Sequence, residues 1–309
     1  MNLDEYLQER VDAVNVYLRQ LWEEDEWRRG VPARLREAMD YSLLAGGKRI
    51  RPVLTLAAAE AVCGQWEKWL PFAAAIELVH TYSLIHDDLP AMDDDDFRRG
   101  RPTNHKVFGD ALAILAGDAL LTHAFTMLAR AGRERSVDAG AVLNVIEELS
   151  LAAGPAGMVG GQVLDLSAAN TGPSFPIIQN DTALASLLEE IHRKKTAAFI
   201  RACLRIGGLL AGATEAQLQA LSDYGLHIGM AFQIRDDLLD VTGDSVLMGK
   251  AAGSDERSGK LTYPRLFGVE ETVRLVQQHT EAAQRAVQSS DLHGEWLLAM
   301  ARRLAERIA

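Results

Sequence analysis

Aspartates gather at two places in this chain, with spacings that suit metal ligands. The first is SLIHDDLPAMDDDDFRRGRPTNH, Ser83 to His105, where Asp87 and Asp88 close an apolar stretch and Asp93 to Asp96 follow Leu-Pro-Ala-Met. The second is AFQIRDDLLDVTGD, with Asp236, Asp237 and Asp240. Residues four apart on a helix lie about 40° apart around its axis, so Asp236 and Asp240 share a face. Asp87 and Asp93, six apart, would diverge by about 240° on an unbroken helix. Pro90 cannot continue the hydrogen-bond ladder, so the helix should end or bulge there and let Asp93 return beside Asp87. Carboxylates held that close repel unless a cation lies between them. Hard oxygen ligands with no Cys or His in attendance favour Mg²⁺, which keeps part of its water and bridges a few carboxylates to substrate phosphates.

An acidic run by itself is most often a solvated loop. Both clusters here fall at helix C-terminal positions, where the dipole disfavours acid residues, and the first is followed at once by Arg98, Arg99 and Arg101. Three further basic groups match them. GGKRIRP offers Lys48 and Arg51 beside two glycines, HRKKT offers Lys194, Lys195 and the Thr196 hydroxyl, and Lys250 and Lys260 flank a glycine-punctuated loop. Arginine forks and lysine point charges are the usual partners of phosphate. The known phosphate loops do not fit. Gly243 to Lys250 has one residue too many between its glycines and Ala251 where Ser or Thr should stand, and the glycines from Gly154 to Gly161 lack the strand of a dinucleotide fingerprint. The pair His86-Asp87 has no second His-Asp pair to make a metal phosphohydrolase. His86 therefore reads as a packing or supporting residue, and His123 and His227 as ordinary interior or rim histidines.

The elements that must carry these residues read as helix after helix. Leu35, Met39, Leu43 and Leu44 mark one helical face, and Ala75, Leu78, Val79, Tyr82 and Ile85 mark another behind Pro71, which suits a first turn. Alternating strand patterns are missing, and about ten helices are expected, in one all-α domain over residues 1–309. Ser167 to Asn180 and Gly243 to Lys260 read as connectors. Acidic residues exceed basic ones by 43 − 32 = 11 in 309 residues, against a nucleic-acid partner. The two cysteines, Cys63 and Cys203, lie in apolar company far apart, which suits a reducing compartment. The N-terminal sequence has neither a signal nor a transit pattern, and no long uncharged apolar run predicts a membrane span. A cytoplasmic protein is expected.

Together, GGKRIRP, HTYSLIHDDLPAMDDDDFRRGRPTNHKVFG, AILAGDALL, GMVGGQ, HRKKT, FQIRDDLLD and GKxxGSDxxxxKxTYP resemble the trans-isoprenyl diphosphate synthases, most closely the bacterial farnesyl diphosphate synthase branch. The resemblance implies an all-α isoprenoid-synthase bundle around a central cavity and a homodimer. It implies a prenyltransferase of isoprene biosynthesis that condenses isopentenyl diphosphate with dimethylallyl or geranyl diphosphate. By the same resemblance, Asp87 and Asp93, with Asp88 as a further ligand, bind two of three Mg²⁺ ions, and Asp236 binds the third. Lys48, Arg51, His80 and Arg99 match positions that hold isopentenyl diphosphate. Arg98, Lys195, Lys250 and Lys260 match those that grip the allylic diphosphate, and Thr196 and Gln233 those whose oxygens line the developing carbocation. The family often has His-Lys-Thr-Gly where this chain reads Lys194-Lys195-Thr196-Ala197, so Ala197 should tighten the backbone there. Tyr82, five residues before Asp87, matches the aromatic that stops chain growth at fifteen carbons. The alternative is a geranylgeranyl diphosphate synthase. A non-catalytic subunit would be expected to lose an aspartate motif, and a terpene cyclase would leave Lys48 and Arg51 without a task.

Overall fold

The computed structural model describes residues 1–21, 30–169, 181–242 and 260–306. The connectors expected from Ser167 and from Gly243 therefore fall largely outside the described residues, as does Lys250. Helix α1 (Leu3–Gln20) opens on a capping box, in which the Asn2 side chain accepts from the Glu5 N–H and Glu5 accepts from the Asn2 N–H, both at 2.9 Å. Helix α2 (Ala33–Leu43) buries Met39 and Leu43 of its expected face, while Leu35 is half-buried and Leu44, just past the helix end, is exposed. Helix α3 (Ile50–Cys63) stops at Gly64, whose φ of 72° glycine adopts without strain. Helix α4 (Leu70–Asp87) has Pro71 in its first turn and buries the whole expected face, Ala75, Leu78, Val79, Tyr82 and Ile85, along with Phe72 and Ile76 on other sides. A helix apolar all round must be enclosed. That enclosure makes α4 the axis from which Asp87 projects.

Helices α5 (Asn104–Phe108), α6 (Asp110–Glu134), α7 (Ala139–Ala153) and α8 (Met158–Ala169) follow. So do α9 (Asp181–His192), a π-turn (Arg193–Ala197) and α10 (Ala198–Ala211), which run on without a break. Helices α11 (Glu215–Thr242), α12 (Tyr263–Phe267), α13 (Val269–Gln288) and α14 (Glu295–Glu306) complete the described chain. The one departure from all-helix among the described residues is a hairpin of two-residue strands, β1 (Phe97–Arg98) and β2 (Arg101–Pro102), antiparallel with Arg98 opposite Arg101. Arg99 and Gly100 turn it with φ of 54° and 73°, the double left-handed pair that a tight hairpin needs.

One hydrophobic core runs from Tyr6 and Leu18 on α1 to Leu297 and Ala301 on α14, with α3, α4, α6, α10 and α11 at its centre. A smaller cluster of Leu188, Ala197, Met230, Ile234, Tyr263 and Val276 lies beneath the second aspartate motif. Cys203 is buried, whereas Cys63 ends α3 exposed, outside the apolar company expected of it. By length and hydropathy alone, α6 and the stretch from Ala139 to Ala168 are long and apolar enough to cross a membrane, contrary to the expectation that no such span exists. Only 39% and 33% of their most apolar windows are buried. Each therefore has an apolar inner face against the core and an apolar outer one that includes Ile114, Leu115, Leu143, Leu151, Val159 and Val163.

Helices α3 and α10 meet at Gly207, where an added Cβ would lie 2.2 Å from the Thr55 carbonyl oxygen and 2.9 Å from the Ala58 Cβ. Backbone cannot yield as a flexible side chain can. Gly207→Ala is expected to lower stability by roughly 1–3 kcal/mol, read by chemical denaturation; an unchanged midpoint would refute the close approach.

Candidate active site

The first aspartate cluster is shaped by its backbone. Helix α4 ends at Asp87; the Asp93 N–H then donates to the Asp87 carbonyl at 2.9 Å, and the N–H groups of Met92 and Asp94 donate to Leu89 at 2.8 and 3.1 Å. The turn around Pro90 thus returns Asp93 to Asp87. Burial, with the charge of Asp93 adding and Lys195 opposing, pushes the Asp87 carboxyl up to about 6. Asp88 does not join them. It is buried, and its carboxylate accepts a fork from Arg98, Nε at 2.8 and 2.9 Å and Nη2 at 2.6 Å. One residue further along the helix end, Asp88 faces the hairpin and orients Arg98.

The opposing wall comes from α11. Asp236 is exposed near its C-terminus, while Asp237 and Asp240 are buried. Asp237 accepts the Tyr263 N–H at 3.1 Å, and Lys260 Nζ lies 3.7 Å from Asp93 Oδ1. The segment from Lys260 to Tyr263 therefore ties one aspartate cluster to the other. Beside it, the Thr196 hydroxyl donates to Gln233 Oε1 at 2.7 Å. Thr196 belongs to the π-turn, whose extra residue re-aims side chains relative to an α-helix.

Two glycines make room for that turn. A Cβ on Gly161 of α8 would lie 2.3 Å from the Lys195 nitrogen, and one on Gly229 of α11 would lie 2.5 Å from the Ala197 Cα. The tightening expected from Ala197 is thus taken up across the helix interface by Gly229. Lys195 donates to Asp165 at 2.5 Å, and its charge reaches Asp87. Lys194 instead pairs with Glu190 at 3.0 Å.

Cations gather on the other flank of α4. Gly46 and Gly47 have φ of 82° and 125°, and the Arg99 guanidinium occupies the place of a Gly47 Cβ while donating to the Gly46 carbonyl. Arg49, not singled out in the sequence, is the anchor of this loop. It is buried with φ of 46° and donates to Glu77 at 2.6 Å, Asn15 at 2.9 Å and the Leu43 carbonyl at 2.7 Å. That anchorage holds a left-handed conformation that a non-glycine residue adopts only at a cost. It leaves Lys48 exposed and brings Arg51 to 3.3 Å from His80. Burial holds His80 well below the ordinary histidine range, and the guanidiniums of Arg51, Arg99, Arg98 and Arg49 push the same way. Burial likewise lowers Arg51 and Arg99. Four guanidiniums around a neutral imidazole, with Glu77 as a deep counter-charge, make a receptor for an anion.

Tyr82 is buried one turn and a half inside α4, edge-on to His86 with ring centres 5.7 Å apart. Burial and the neighbouring Asp87 push its phenol up to about 12. His86 wedges against Gly117 of α6, its Nε2 3.0 Å from the Ile114 carbonyl oxygen, as a packing residue would. Among the described residues no three carboxylate, imidazole or thiol groups converge to hold an ion by themselves. Partial ligation from Asp87 and Asp93 suits Mg²⁺, which completes its shell from water and phosphate, and the raised Asp87 carboxyl is chiefly the cost of burying it, with the charge of Asp93 adding to it.

Against known proteins, the profile described as Polyprenyl synthetase matches residues 32–293. The chain is 44% identical over 99% of its length to a farnesyl diphosphate synthase of Geobacillus stearothermophilus, covering 98% of that protein. It is 42% identical to a geranylgeranyl diphosphate synthase of Cyanophora paradoxa, over 97% of this chain and 95% of that one. A crystal structure of geranyltransferase from Helicobacter pylori complexed with magnesium and isoprenyl diphosphate superposes with a TM-score of 0.78 at 30% identity, covering 98% of this chain and 97% of that one.

An aspartate whose folded pKa is raised destabilises the fold once it ionises, so its cost grows as pH climbs from about 4 through 6. Without metal, Asp87→Asn should raise stability by on the order of 1 kcal/mol at pH 7.5 and by much less at pH 4.5, in melts with EDTA. Equal gains at both pH values would contradict the strained carboxylate.

Proposed function

The chain belongs to the polyprenyl synthetase family, and from that premise we propose that it is a Mg²⁺-dependent farnesyl diphosphate synthase, a geranyltranstransferase. The observation that carries this reading is the pairing of an acidic cleft at Asp87 and Asp93 with the receptor formed by Arg51, His80, Arg98 and Arg99 on one flank and Lys195, Thr196 and Gln233 on the other. Two diphosphates and one departing charge require that layout.

In this reading Asp87, Asp93 and Asp236 hold three Mg²⁺ ions, and Asp88 acts through Arg98. When bound, Mg²⁺ neutralises the negative charge that builds on the leaving diphosphate. Lys195, Lys260 and Arg98, with Lys250, grip that diphosphate. Their cationic heads gain most where charge develops, as the C–O bond breaks. Lys48, Arg51, His80 and Arg99 hold isopentenyl diphosphate with its double bond toward the allylic carbon. The oxygens of Thr196 and Gln233 face the carbocation as uncharged dipoles, which stabilise it without capturing it. The double bond attacks, the new C–C bond forms, and a proton leaves to the departed diphosphate, since no carboxylate is spare. The product leaves as farnesyl diphosphate after two additions to dimethylallyl diphosphate or one to geranyl diphosphate.

Purified protein with Mg²⁺, labelled isopentenyl diphosphate and geranyl diphosphate is expected to give a fifteen-carbon product. No product without a metal, and none without isopentenyl diphosphate, separates this activity from a cyclase. The alternative, a twenty-carbon product, is kept open by the geranylgeranyl synthases among the relatives. The buried Tyr82 ring favours the shorter chain, because a packed interior has no slack for elongation past it. Tyr82→Ala is expected to shift most product to twenty carbons, resolved by reversed-phase chromatography; an unchanged fifteen-carbon product would remove Tyr82 as the stop.

The same reading includes one catalytic domain, cytoplasmic placement and a homodimer. The exposed apolar residues Ile114, Leu115, Leu143 and Leu151 support a second copy as the cover for α6 and α7. Leu115→Glu with Leu143→Glu should halve the mass in multi-angle light scattering. A dimer that persists in that variant would place the contact elsewhere.

A further inference from the structure

Asp237 is adjacent to an expected metal ligand yet points the other way. It is buried, with three nitrogens around its carboxylate. Oδ2 accepts the Tyr263 N–H at 3.1 Å and lies 3.4 Å from His192 Nε2, while Oδ1 faces Gln233 Nε2 at 3.4 Å. His192 is itself buried, with the Tyr263 ring against it at 5.0 Å between centres. On the far side of the same amide, Gln233 Oε1 accepts the Thr196 hydroxyl at 2.7 Å. A single chain thus runs His192, Asp237, Gln233, Thr196, from the buried end of α9 to the oxygens that face the cleft.

We infer that Asp237, supported by His192 and the Tyr263 backbone, is a positioning residue that fixes which way the Gln233 amide points. A primary amide is ambiguous, since its oxygen and nitrogen ends are nearly isosteric. Thr196 cannot decide between them, because a hydroxyl donates or accepts as required. A carboxylate only accepts, so Asp237 holds the NH₂ end and turns the oxygen toward Thr196. The Thr196 hydrogen is then spent on Gln233, which leaves lone pairs of both oxygens toward a developing cation. Flipped, the amide would present N–H dipoles to the same cation and reverse the sign of its contribution. Burial lowers His192 to about 3, so the imidazole at the end of the chain stays neutral at working pH and adds no positive charge near the reacting carbon.

This inference rests on the prenyl-transfer reading, and its test is a double-mutant cycle on kcat in the full-length protein with Mg²⁺, isopentenyl diphosphate and geranyl diphosphate. Asp237→Asn should lower kcat by about tenfold to a hundredfold, with KM for isopentenyl diphosphate within about twofold. In a Gln233→Leu background the same substitution should cost less than about threefold, because there is no amide left to orient. Full multiplication of the two losses would overturn the inference, since Asp237 would then act by another route, as would recovery of Asp237→Asn at high Mg²⁺. Should circular dichroism show Asp237→Asn unfolded, His192→Gln decides by the same cycle, with a smaller loss that also vanishes beside Gln233→Leu. Wild-type protein that makes no prenyl product would refute the activity itself, which no outcome of the cycle can do.

Discussion

Charge buried along one cleft, acidic on one side and basic on the other, is the constraint on which this molecule is built. Asp87 and Asp93 are pinned side by side through a backbone hydrogen bond, and the Asp87 carboxyl is pushed up to about 6. Behind them, the guanidiniums of Arg49, Arg51, Arg98 and Arg99 crowd a neutral His80. Burial makes that charge costly even where Lys195, Lys260, Glu77 and Asp88 answer part of it. The fold bears this cost because α4, buried on almost every side, cannot rotate its end away, and because Arg49 fastens the cationic loop to Glu77 deep in the core. What relaxes both is a ligand bearing negative charge on one side and divalent cations on the other.

Small departures from ideal helix aim the side chains. Pro90 ends α4 and curls the chain back by one turn. The hairpin at Arg99 and Gly100 sends Arg98 to Asp88 and Arg99 to Gly46, two directions from adjacent residues. The π-turn at Arg193–Ala197 shifts the register of one long helical run, so that Lys195 meets Asp165 while Thr196 meets Gln233. Gly161 and Gly229 flank the turn closely enough that a methyl group on either would displace it. Rigid helices supply the precision, and their local defects supply the direction.

Residue spacing carried much of this. The return of Asp93 follows from Pro90 and the burial of α4 from its unbroken apolar face, whereas Thr196 and Gln233 were brought together by the family resemblance and not by spacing. Residue types and spacing, unlike the family resemblance, do not say which of two neighbouring carboxylates takes which partner. Asp87 and Asp88, like Asp236 and Asp237, are equivalent as letters and differ only once a partner such as Arg98 or Tyr263 is in place. Arg49 carries no signal of its own between Lys48 and Arg51, because its role depends on Glu77 and Asn15, distant in the chain. Asp165 and His192 had no spacing to betray them, since their partners Lys195 and Asp237 are distant in the chain and meet them only in the fold. The outward apolar faces of α6 and α7 were hidden by the helical period, which shows that a stripe exists but not that two stripes share one helix.

The central claim is that the acidic and cationic groups are each incomplete until a diphosphate and Mg²⁺ arrive together. Isothermal titration with a non-reacting allylic diphosphate analogue, in the presence and absence of Mg²⁺, tests it directly. Each ligand should tighten the other by at least about tenfold, a reciprocal coupling of more than about 1.4 kcal/mol. Equal affinities with and without the partner would mean the two charge clusters do not share a ligand, and the account would be wrong.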